Sequence, residues 1–351
     1  MTSPKIKLIL PYDYFTKANT LCVTQCQCQC QFQFQFYEGF MAKIISMPDV
    51  HGSHKWEIVK SIPQDNYDYI VFHGDYFDSW ENDWPDQGEN FKAICNFVRE
   101  DTEHRKLLIG NHDFSYLSVT KYGHSVSGHQ HNHSTEIKNL LKQNLDIIDL
   151  AFKCDGWIFS HAGFSKTWVK FIKDIFHSML DNFTDEEFNI DFLNQQWHKL
   201  NHSNKEDNFC YSFHNLLDWN GFLSSSGNEV TQGPLWIRPE SLLSDAYYQK
   251  QVVSHTELCL FEKVYLHQNQ NQIIFIDSKT HEIFDFINTS EEYNFMTIPE
   301  FNNWYKKTLK IINDIKAQLI YHNDEENFVK ESLNHHFSKE IAEKIYKFGF
   351  M

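Results

Sequence analysis

Carboxylate, imidazole and amide side chains follow several short apolar runs of this sequence, each at the point where the run ends. Asp49 and His51 follow the run KIISM, and Asp75 and Asp78 follow the run YIVF. Side chains two positions apart in extended backbone face the same way, so Asp49 and His51 can bind one ion together. Three later runs end with Asn111 and His112, with His161, and with His255. One arrangement, a strand that ends in metal-binding side chains, is therefore repeated along the chain.

The candidate ligands offer oxygen and nitrogen but no thiolate, which favours Mn, Fe, Zn or a similar ion over a structural zinc finger. The main candidates are Asp49, His51, Asp75, Asn111, His161 and His255. This set exceeds the needs of one tetrahedral ion, whereas two cations that share Asp75 would use all of it. Such a pair would acidify a water between them and neutralise phosphoryl oxygens. The sequence therefore predicts a dinuclear centre for attack on phosphorus, with manganese as the first candidate metal.

An alternation of strand-like and helical patterns surrounds these side chains. Between two of the apolar runs, Phe91, Ile94 and Val98 recur at helical spacing. The predicted strands cover residues 43–47, 69–72, 106–109, 157–159, 251–253 and 273–276. This order is typical of an α/β fold, in which ligands bind at the carboxyl ends of the strands. We therefore expect the five polar clusters to meet in space although they are far apart in the sequence.

Taken in order, the segments DVH, GDYFD, GNHD, SHAG and SHT resemble the motif series of the calcineurin-like metallophosphoesterase superfamily. The similarity is greatest to the phosphoprotein phosphatase and diadenosine-tetraphosphatase branch, and it covers about residues 43 to 280. It implies an α/β fold with a two-sheet β-sandwich flanked by helices, the α-β-β-α arrangement of that family. One segment alone is a weak signal, because acidic and histidine residues at strand ends are often ordinary polar loop residues. The ordered set is specific.

The resemblance also implies a role for each candidate residue. It assigns Asp49, His51 and Asp75 to the first cation, and Asp75, Asn111, His161 and His255 to the second. Asn111 would also contact the substrate. His112 would protonate the leaving-group oxygen while Asp78 orients its imidazole. The chemistry is reasonable, since a departing alkoxide needs a proton and an imidazole fixed by a carboxylate is a suitable general acid.

One phosphate-binding group of the family pattern is missing here. The protein phosphatases usually continue GD-x-x-D with arginine and glycine, but Ser79 and Trp80 follow Asp78 in this chain. Arg238, in the segment GPLWIRPE, resembles the W-x-R element of the bacterial branch. Its guanidinium could bind phosphate oxygens in a bidentate manner, and a surface ion pair is the alternative.

Two further departures lie around the last histidine motif. Ser254 replaces the glycine that usually precedes the histidine equivalent to His255. Glu257 stands where many relatives outside the protein-phosphatase branch have another metal-binding histidine. Glu257 is therefore either a ligand of the first cation or a solvent-exposed side chain, and the metal preference stays open.

The chain divides by composition into three parts. Residues 1–40 are low in complexity, and Gln alternates there with Cys and then with Phe over positions 24–36. A translated short repeat explains this alternation best, although a half-buried strand or a Cys metal clip also fits it. We expect this segment to be disordered or not part of the native product. The predicted phosphoesterase domain covers 41–287 with a helical cap insertion at 166–235, and a helical C-terminal appendage covers 288–351.

A histidine-rich segment, GHSVSGHQHNHS, follows the third cluster and contains His124, His129, His131 and His133. A metal site is one interpretation of it. Because Ser and Gly residues separate the histidines and give them no fixed geometry, we favour a flexible loop over the active site.

The charge of the chain limits its partners. Lys and Arg number 31 against 47 Asp and Glu, which gives a formal net charge of -16. Such a field repels nucleic acid and anionic membranes, so we expect neither as a partner. No apolar run reaches the length of a membrane span, and the N-terminus lacks a secretory pattern. These features, together with cysteines that lack paired spacing, favour a cytoplasmic protein with free thiols; its oligomeric state is open.

The leading functional hypothesis is a metal-dependent phosphatase that hydrolyses phosphate monoesters of a phosphoprotein or a small molecule. Hydrolysis of dinucleoside polyphosphates or another pyrophosphate bond is the alternative within the family. A third hypothesis is a catalytically silent scaffold that binds metal and recruits a partner through its aromatic insertion. Asp75, Asn111 and His112 argue against the scaffold, because it would not need a general acid.

Overall fold

The computed structural model describes residues 42–119, 126–202, 208–218, 228–258, 264–277, 285–288, 291, 293–319, 325–339, 342–343 and 345–346. The segment 1–40 therefore lies outside the described residues. The strands are β1 (Lys43–Met47), β2 (Tyr69–Phe72), β3 (Arg105–Leu108), β4 (Ile148–Asp149), β5 (Ala151–Cys154), β6 (Trp157–Ser160), β7 (Lys250–Val253), β8 (Val264–Gln268), β9 (Asn271–Phe275) and β10 (Asp285–Asn288). The α-helices are α1 (Trp84–Arg99), α2 (Asn111–Leu117), α3 (Ser134–Lys142), α4 (Lys166–Met179), α5 (Ile190–His202), α6 (Asn208–Leu217), α7 (Pro239–Asp245), α8 (Ile298–Gln318) and α9 (Glu325–His336).

The strands form two five-stranded sheets. The first has the order β10-β1-β2-β3-β4 and the second the order β5-β6-β7-β9-β8. Within the first sheet β1 to β4 are parallel, and within the second β6, β7 and β9 are parallel. The strands that carry the predicted clusters are therefore β1, β2 and β3 of one sheet and β6 and β7 of the other.

The two sheets pack face to face through alternate residues of their strands. Ile44 and Val71 of the first sheet belong to one apolar cluster with Phe159 and Val252 of the second. Their neighbours along the strands, such as Ile45, belong to a different cluster that includes residues of the flanking helices. Parallel strands that are covered on both faces read as continuous apolar runs. The predicted two-sheet sandwich flanked by helices is confirmed.

The helices α4, α5 and α6 lie within the predicted insertion and cover the edge of the sandwich at β4 and β5. The Trp197 indole N–H on α5 donates to the Ile148 carbonyl of β4 at 2.8 Å. The Asn194 amide, one turn earlier, donates to the Ala151 carbonyl of β5 at 2.8 Å. Side chains of α4 and α6, including Phe176 and Phe213, complete the apolar cluster beneath them. The insertion is thus fixed to the sheet by hydrogen bonds as well as by apolar contact.

The C-terminal helices α8 and α9 pack on the second sheet. Phe301 and Ile312 of α8 and Leu333 of α9 are buried in a cluster with Leu266 of β8 and Ile273 of β9. Thr297 begins α8 with a capping box, since its side chain accepts from the Glu300 N–H and Glu300 reaches back to the Thr297 N–H. None of the helices in the described part of the chain is long and apolar enough to span a bilayer.

Candidate metal centre

The predicted site residues lie at the carboxyl ends of five parallel strands. Asp49 and His51 follow β1, Asp75 and Asp78 follow β2, and α2 begins with Asn111 directly after β3. His161 follows β6 and His255 follows β7 in the second sheet. Because the parallel strands of each sheet run in one direction, their ends meet along one edge of the sandwich.

Asp75 is the centre of this cluster. Its carboxylate lies 3.8 Å from His51 Nε2 and 3.5 Å from His161 Nε2. Asp75 belongs to both groups of side chains with ligand atoms close enough to hold a cation, one with His51 and His112 and the other with Asp49 and His161. Burial opposes ionisation of Asp75, but the adjacent imidazoles of His161, His112 and His51 hold its pKa below the usual value. An ionised, buried carboxylate is a suitable shared ligand.

The side chains of Asn111, His161 and His255 converge on one another. His161 Nδ1 donates to the His73 carbonyl at 2.9 Å, which leaves Nε2 as the atom that can bind metal. That Nε2 lies 2.7 Å from Asn111 Oδ1 and 3.2 Å from His255 Nδ1. Burial, with the nearby His161 and Arg238, lowers the pKa of His255 well below its usual value, so the ring is neutral. An amide oxygen and two imidazole nitrogens this close together fit a divalent cation.

His51 and Asp49 are also oriented by hydrogen bonds. His51 Nδ1 donates to the Phe77 carbonyl at 2.9 Å, which leaves Nε2 as the atom that can bind metal. Asp49 Oδ1 accepts from the Ser254 hydroxyl at 2.5 Å and from the His255 N–H at 3.3 Å. The structure thus brings all six predicted ligands into one cluster, and their partition between two cations stays a prediction.

The backbone at the site is held in sparsely populated conformations. Seven non-glycine residues of the described part have positive φ, and four of them are the site residues His51, Asp75, Asp78 and His255. Such conformations cost about 1 kcal/mol or more each and persist where the surrounding structure determines them. A methyl group on Gly110 would overlap the Asp75 carboxylate, so the loops after β2 and β3 pass too closely for any other residue there.

His112 and Asp78 form the expected pair. His112 Nδ1 donates to Asp78 Oδ2 at 2.9 Å, and the Asp78 side chain is fully buried. Burial of His112 lowers its tendency to bind a proton, but the Asp75 and Asp78 carboxylates outweigh this and raise its pKa to about 9. In the metal-free protein the ring therefore carries both protons at neutral pH.

Asp113 and Tyr116 were not singled out from the sequence, yet both support the site. The Asp113 carboxylate accepts hydrogen bonds from the backbone N–H groups of Asp75 at 2.7 Å, Tyr76 at 2.8 Å and Gly110 at 3.0 Å. It therefore ties the loop after β2 to the loop after β3. The sequence does offer a signal for Asp113, because it belongs to the motif GNHD beside the candidates Asn111 and His112. It offers no signal for Tyr116, whose hydrogen-bond partners Asp78 and Gln130 are distant in the sequence.

Arg238 lies near the predicted ligands Asp49 and His255. It is half-buried before α7, and its Nη1 donates to Thr256 Oγ1 at 3.2 Å. No carboxylate of the described residues forms an ion pair with its guanidinium. Glu257 is exposed and belongs to neither group of candidate ligands in the described part. The geometry gives Glu257 no ligand role.

The described part of the histidine-rich segment packs against α2. The His129 ring stacks on Tyr116 with ring centroids 4.2 Å apart, and its Nδ1 lies 3.3 Å from Ser115 Oγ. Residues His131–His133 form a short 3₁₀ helix, while His124 lies outside the described residues. His129, His131 and His133 are therefore placed by contacts in the described part of the segment, and the flexible loop over the active site stays a prediction.

Comparison with known proteins gives the family. The sequence model of the calcineurin-like phosphoesterases matches residues 42–243, which is more than half of the chain. The chain belongs to the calcineurin-like phosphoesterases. The match covers the clusters after β1, β2, β3 and β6 but ends before His255. No curated protein sequence matches this phosphoesterase significantly.

Solved structures similar to this phosphoesterase include a cold-active protein tyrosine phosphatase and a protein serine/threonine phosphatase from Saccharomyces cerevisiae. The first is 18% identical with a TM-score of 0.44, and the match covers 69% of this chain and 71% of that chain. The second is 16% identical with a TM-score of 0.36, covering 68% and 67%. Since both TM-scores are low, the family assignment rests on the sequence match alone.

Proposed function

We propose that this phosphoesterase is a metal-dependent phosphatase that hydrolyses phosphate monoesters of a phosphoprotein or a small molecule. The observation that carries the proposal is the His112 imidazole, which is held by Asp78 beside the carboxylate that both candidate ligand groups of the described residues share. A proton donor and a metal-binding carboxylate at one place suit hydrolysis of an ester with a poor leaving group.

Two cations are proposed, with manganese first and iron or zinc as alternatives. The residues that would hold them are Asp49, His51, Asp75, Asn111, His161 and His255. Cations bound there would neutralise charge on phosphoryl oxygens and lower the pKa of bound water. The supporting observation is the donor set itself, in which imidazole nitrogens, carboxylates and an amide oxygen lie close together.

The side chains around the candidate ligands would bind and protonate the substrate. His112 uses Nδ1 for Asp78, so Nε2 is the nitrogen that can donate a proton to the leaving-group oxygen. Arg238 would bind a phosphoryl oxygen, since its guanidinium is near Asp49 and His255 and has no carboxylate partner among the described residues. Asn111 would contact the same phosphoryl group. The net charge of -16 supports a small or protein substrate over nucleic acid.

A comparison of His112→Gln with the unchanged full-length protein tests the proposal. With manganese added, the unchanged protein should hydrolyse phenyl phosphate faster than a phosphodiester such as bis(p-nitrophenyl) phosphate. His112→Gln should slow phenyl phosphate hydrolysis by about 10² to 10⁴, and p-nitrophenyl phosphate hydrolysis by much less, because p-nitrophenolate needs little protonation. His104→Gln, at a surface pair with Asp101, is the control. Equal slowing of both esters would contradict the acid role.

Dinucleoside polyphosphate hydrolysis is the second candidate, and Trp80 favours it. The Trp80 side chain is 79% exposed and lies two residues after Asp78, where an indole could stack on a nucleobase. A diadenosine tetraphosphate substrate should then be preferred over phenyl phosphate, and Trp80→Ala should raise the KM of the nucleotide alone. A protein that binds manganese but hydrolyses neither substrate would be the scaffold.

A further inference from the structure

Tyr116 and His112 hold the two oxygens of one buried carboxylate. Both residues lie on α2, four positions apart, so their side chains project from the same face of the helix. His112 Nδ1 donates to Asp78 Oδ2, and the Tyr116 hydroxyl donates to Asp78 Oδ1. Tyr116 is 4% exposed and Asp78 is fully buried, so water does not replace either bond. The orientation of Asp78 therefore depends on both partners.

A backbone N–H fixes the direction of the bond from Tyr116. The Gln130 N–H lies 2.8 Å from the Tyr116 hydroxyl oxygen and can only donate to it. The hydroxyl proton is then left to Asp78, which accepts on both oxygens. Burial, together with the bond to Asp78, raises the pKa of Tyr116, so the phenol keeps this proton at any working pH. The chain of bonds runs from Gln130 through Tyr116 to Asp78, and Asp78 meets the Nδ1 proton of His112.

His129 holds the Tyr116 ring in this position. Its ring is nearly parallel to Tyr116, with an interplanar angle of 15°. Its two nitrogens lie within hydrogen-bond distance of Ser115 Oγ and Ser134 Oγ, at 3.3 and 3.2 Å. The Asp78 backbone is itself at φ 64, a conformation that needs support from its surroundings. The histidine-rich segment, through His129 and Gln130, supplies part of that support.

We infer that Tyr116 is a positioning residue for the general acid: through Asp78 it fixes the tautomer and the direction of the His112 imidazole. The inference rests on the proposed function and adds to it a residue that does not touch the substrate. It also gives the histidine-rich segment a structural role in place of metal binding.

The kinetic test is Tyr116→Phe in the full-length protein with manganese, which removes one hydroxyl and keeps the ring under His129. The kcat for phenyl phosphate should fall about tenfold, less than the 10² or more that loss of a general acid costs, while KM stays unchanged. The kcat for p-nitrophenyl phosphate should change less than twofold. The control is Tyr67→Phe, because Tyr67 is buried just before β2, at the opposite end of that strand from the site.

A second readout does not require activity. In the proton NMR spectrum of the metal-free protein, the His112 Nδ1 proton bonded to Asp78 should give a downfield resonance that His112→Gln removes. Tyr116→Phe should shift this resonance or lose it to solvent exchange, and Tyr67→Phe should leave it in place. An unshifted resonance, or equal slowing of both esters, overturns the inference. If the protein hydrolyses no phosphoester, the proposed function fails while the spectrum still decides the place of Tyr116.

Discussion

Ser254 stands where the family usually has glycine, and its hydroxyl orients the predicted ligand Asp49. Its hydroxyl donates to Asp49 Oδ1 at 2.5 Å and accepts from the Asp49 N–H at 3.1 Å. The family usually has glycine here, which could make neither bond. Because Asp49 follows β1 of the first sheet and Ser254 follows β7 of the second, the two bonds also connect the two halves of the site.

Ser254→Ala should therefore weaken cation binding without unfolding the protein. Loss of a group that orients a ligand typically costs 10- to 100-fold in metal affinity, and we expect about tenfold here. Titration of the metal-free protein with manganese, followed by calorimetry, measures the change. Ser160→Ala is a matched control, since Ser160 is equally buried beside His161 and its hydroxyl has no hydrogen-bond partner among the described residues. Equal affinity in the two variants would show that Ser254 does not orient Asp49.

At the scale of elements, the sequence predicts best the strands that are buried on both faces. The runs for β1 and β2 match the observed strands residue for residue, and that for β3 is displaced by one position. The strands β4, β5, β8 and β10 were not predicted. β4 has only two residues, and β10 pairs antiparallel with β1 across more than two hundred positions, so local pattern carries no signal for either.

The site was predictable for a similar reason. Its ligands stand directly after apolar strands, so the fold alone determines that they meet. Supporting residues are different, because Tyr116 and Ser254 act through partners that only the tertiary structure brings near. Spacing along the chain therefore predicts the side chains that react or bind metal, but it does not predict the side chains that orient them.

The helix α6 of the predicted insertion carries a buried histidine, His214, that packs against α2 and α5. His214 is 2% exposed, and neither of its ring nitrogens has a hydrogen-bond partner in the described part of the chain. Its ring packs edge-on against Phe114 of α2 and parallel to Trp197 of α5. Burial, with a smaller effect of Lys138, lowers the pKa of His214 from 6.5 to about 4. The folded protein therefore holds this ring neutral.

The free energy of unfolding should fall as the pH decreases, because His214 takes up a proton in the unfolded chain at a pH where the folded protein keeps it neutral. The contribution is fully present above pH 6.5 and is lost progressively as pH falls toward about 4. Between pH 7 and pH 5 we expect a loss of about 2 kcal/mol in the free energy of unfolding from this group. In urea denaturation, the loss of unfolding free energy between pH 7 and pH 5 should be smaller by that amount in His214→Leu than in the unchanged protein. His177→Leu, at an exposed pair with Asp185, is the control, and an unchanged acid loss in His214→Leu would refute the assignment.

At the scale of the whole molecule, the candidate metal centre joins the two sheets. Asp49, Asp75 and Asn111 come from the first sheet, and His161 and His255 from the second. A buried hydrogen bond already links the two sheets, since His73, which accepts from Ser46 within the first sheet, donates to the Ser160 carbonyl of β6. Cation binding requires both sheets to be folded and in register at this edge, so it is coupled to folding of the sandwich.

Cations should therefore raise the stability of the entire sandwich rather than of one loop. At a free manganese concentration of 100 times Kd, binding adds about 2.7 kcal/mol, which corresponds to a rise in Tm of about 4 °C for a chain of 351 residues. Scanning calorimetry of the full-length protein, with manganese and then with excess EDTA, measures the shift.

Asp75→Asn should abolish the shift, the bound metal and the activity together, because Asp75 belongs to both candidate ligand groups of the described residues. Asp185→Asn, which removes a surface charge far from these strand ends in sequence, should keep all three. If Asp75→Asn retained two cations per chain and a full shift in Tm, the shared ligand would have to be another residue and the two sheets would not be joined through Asp75.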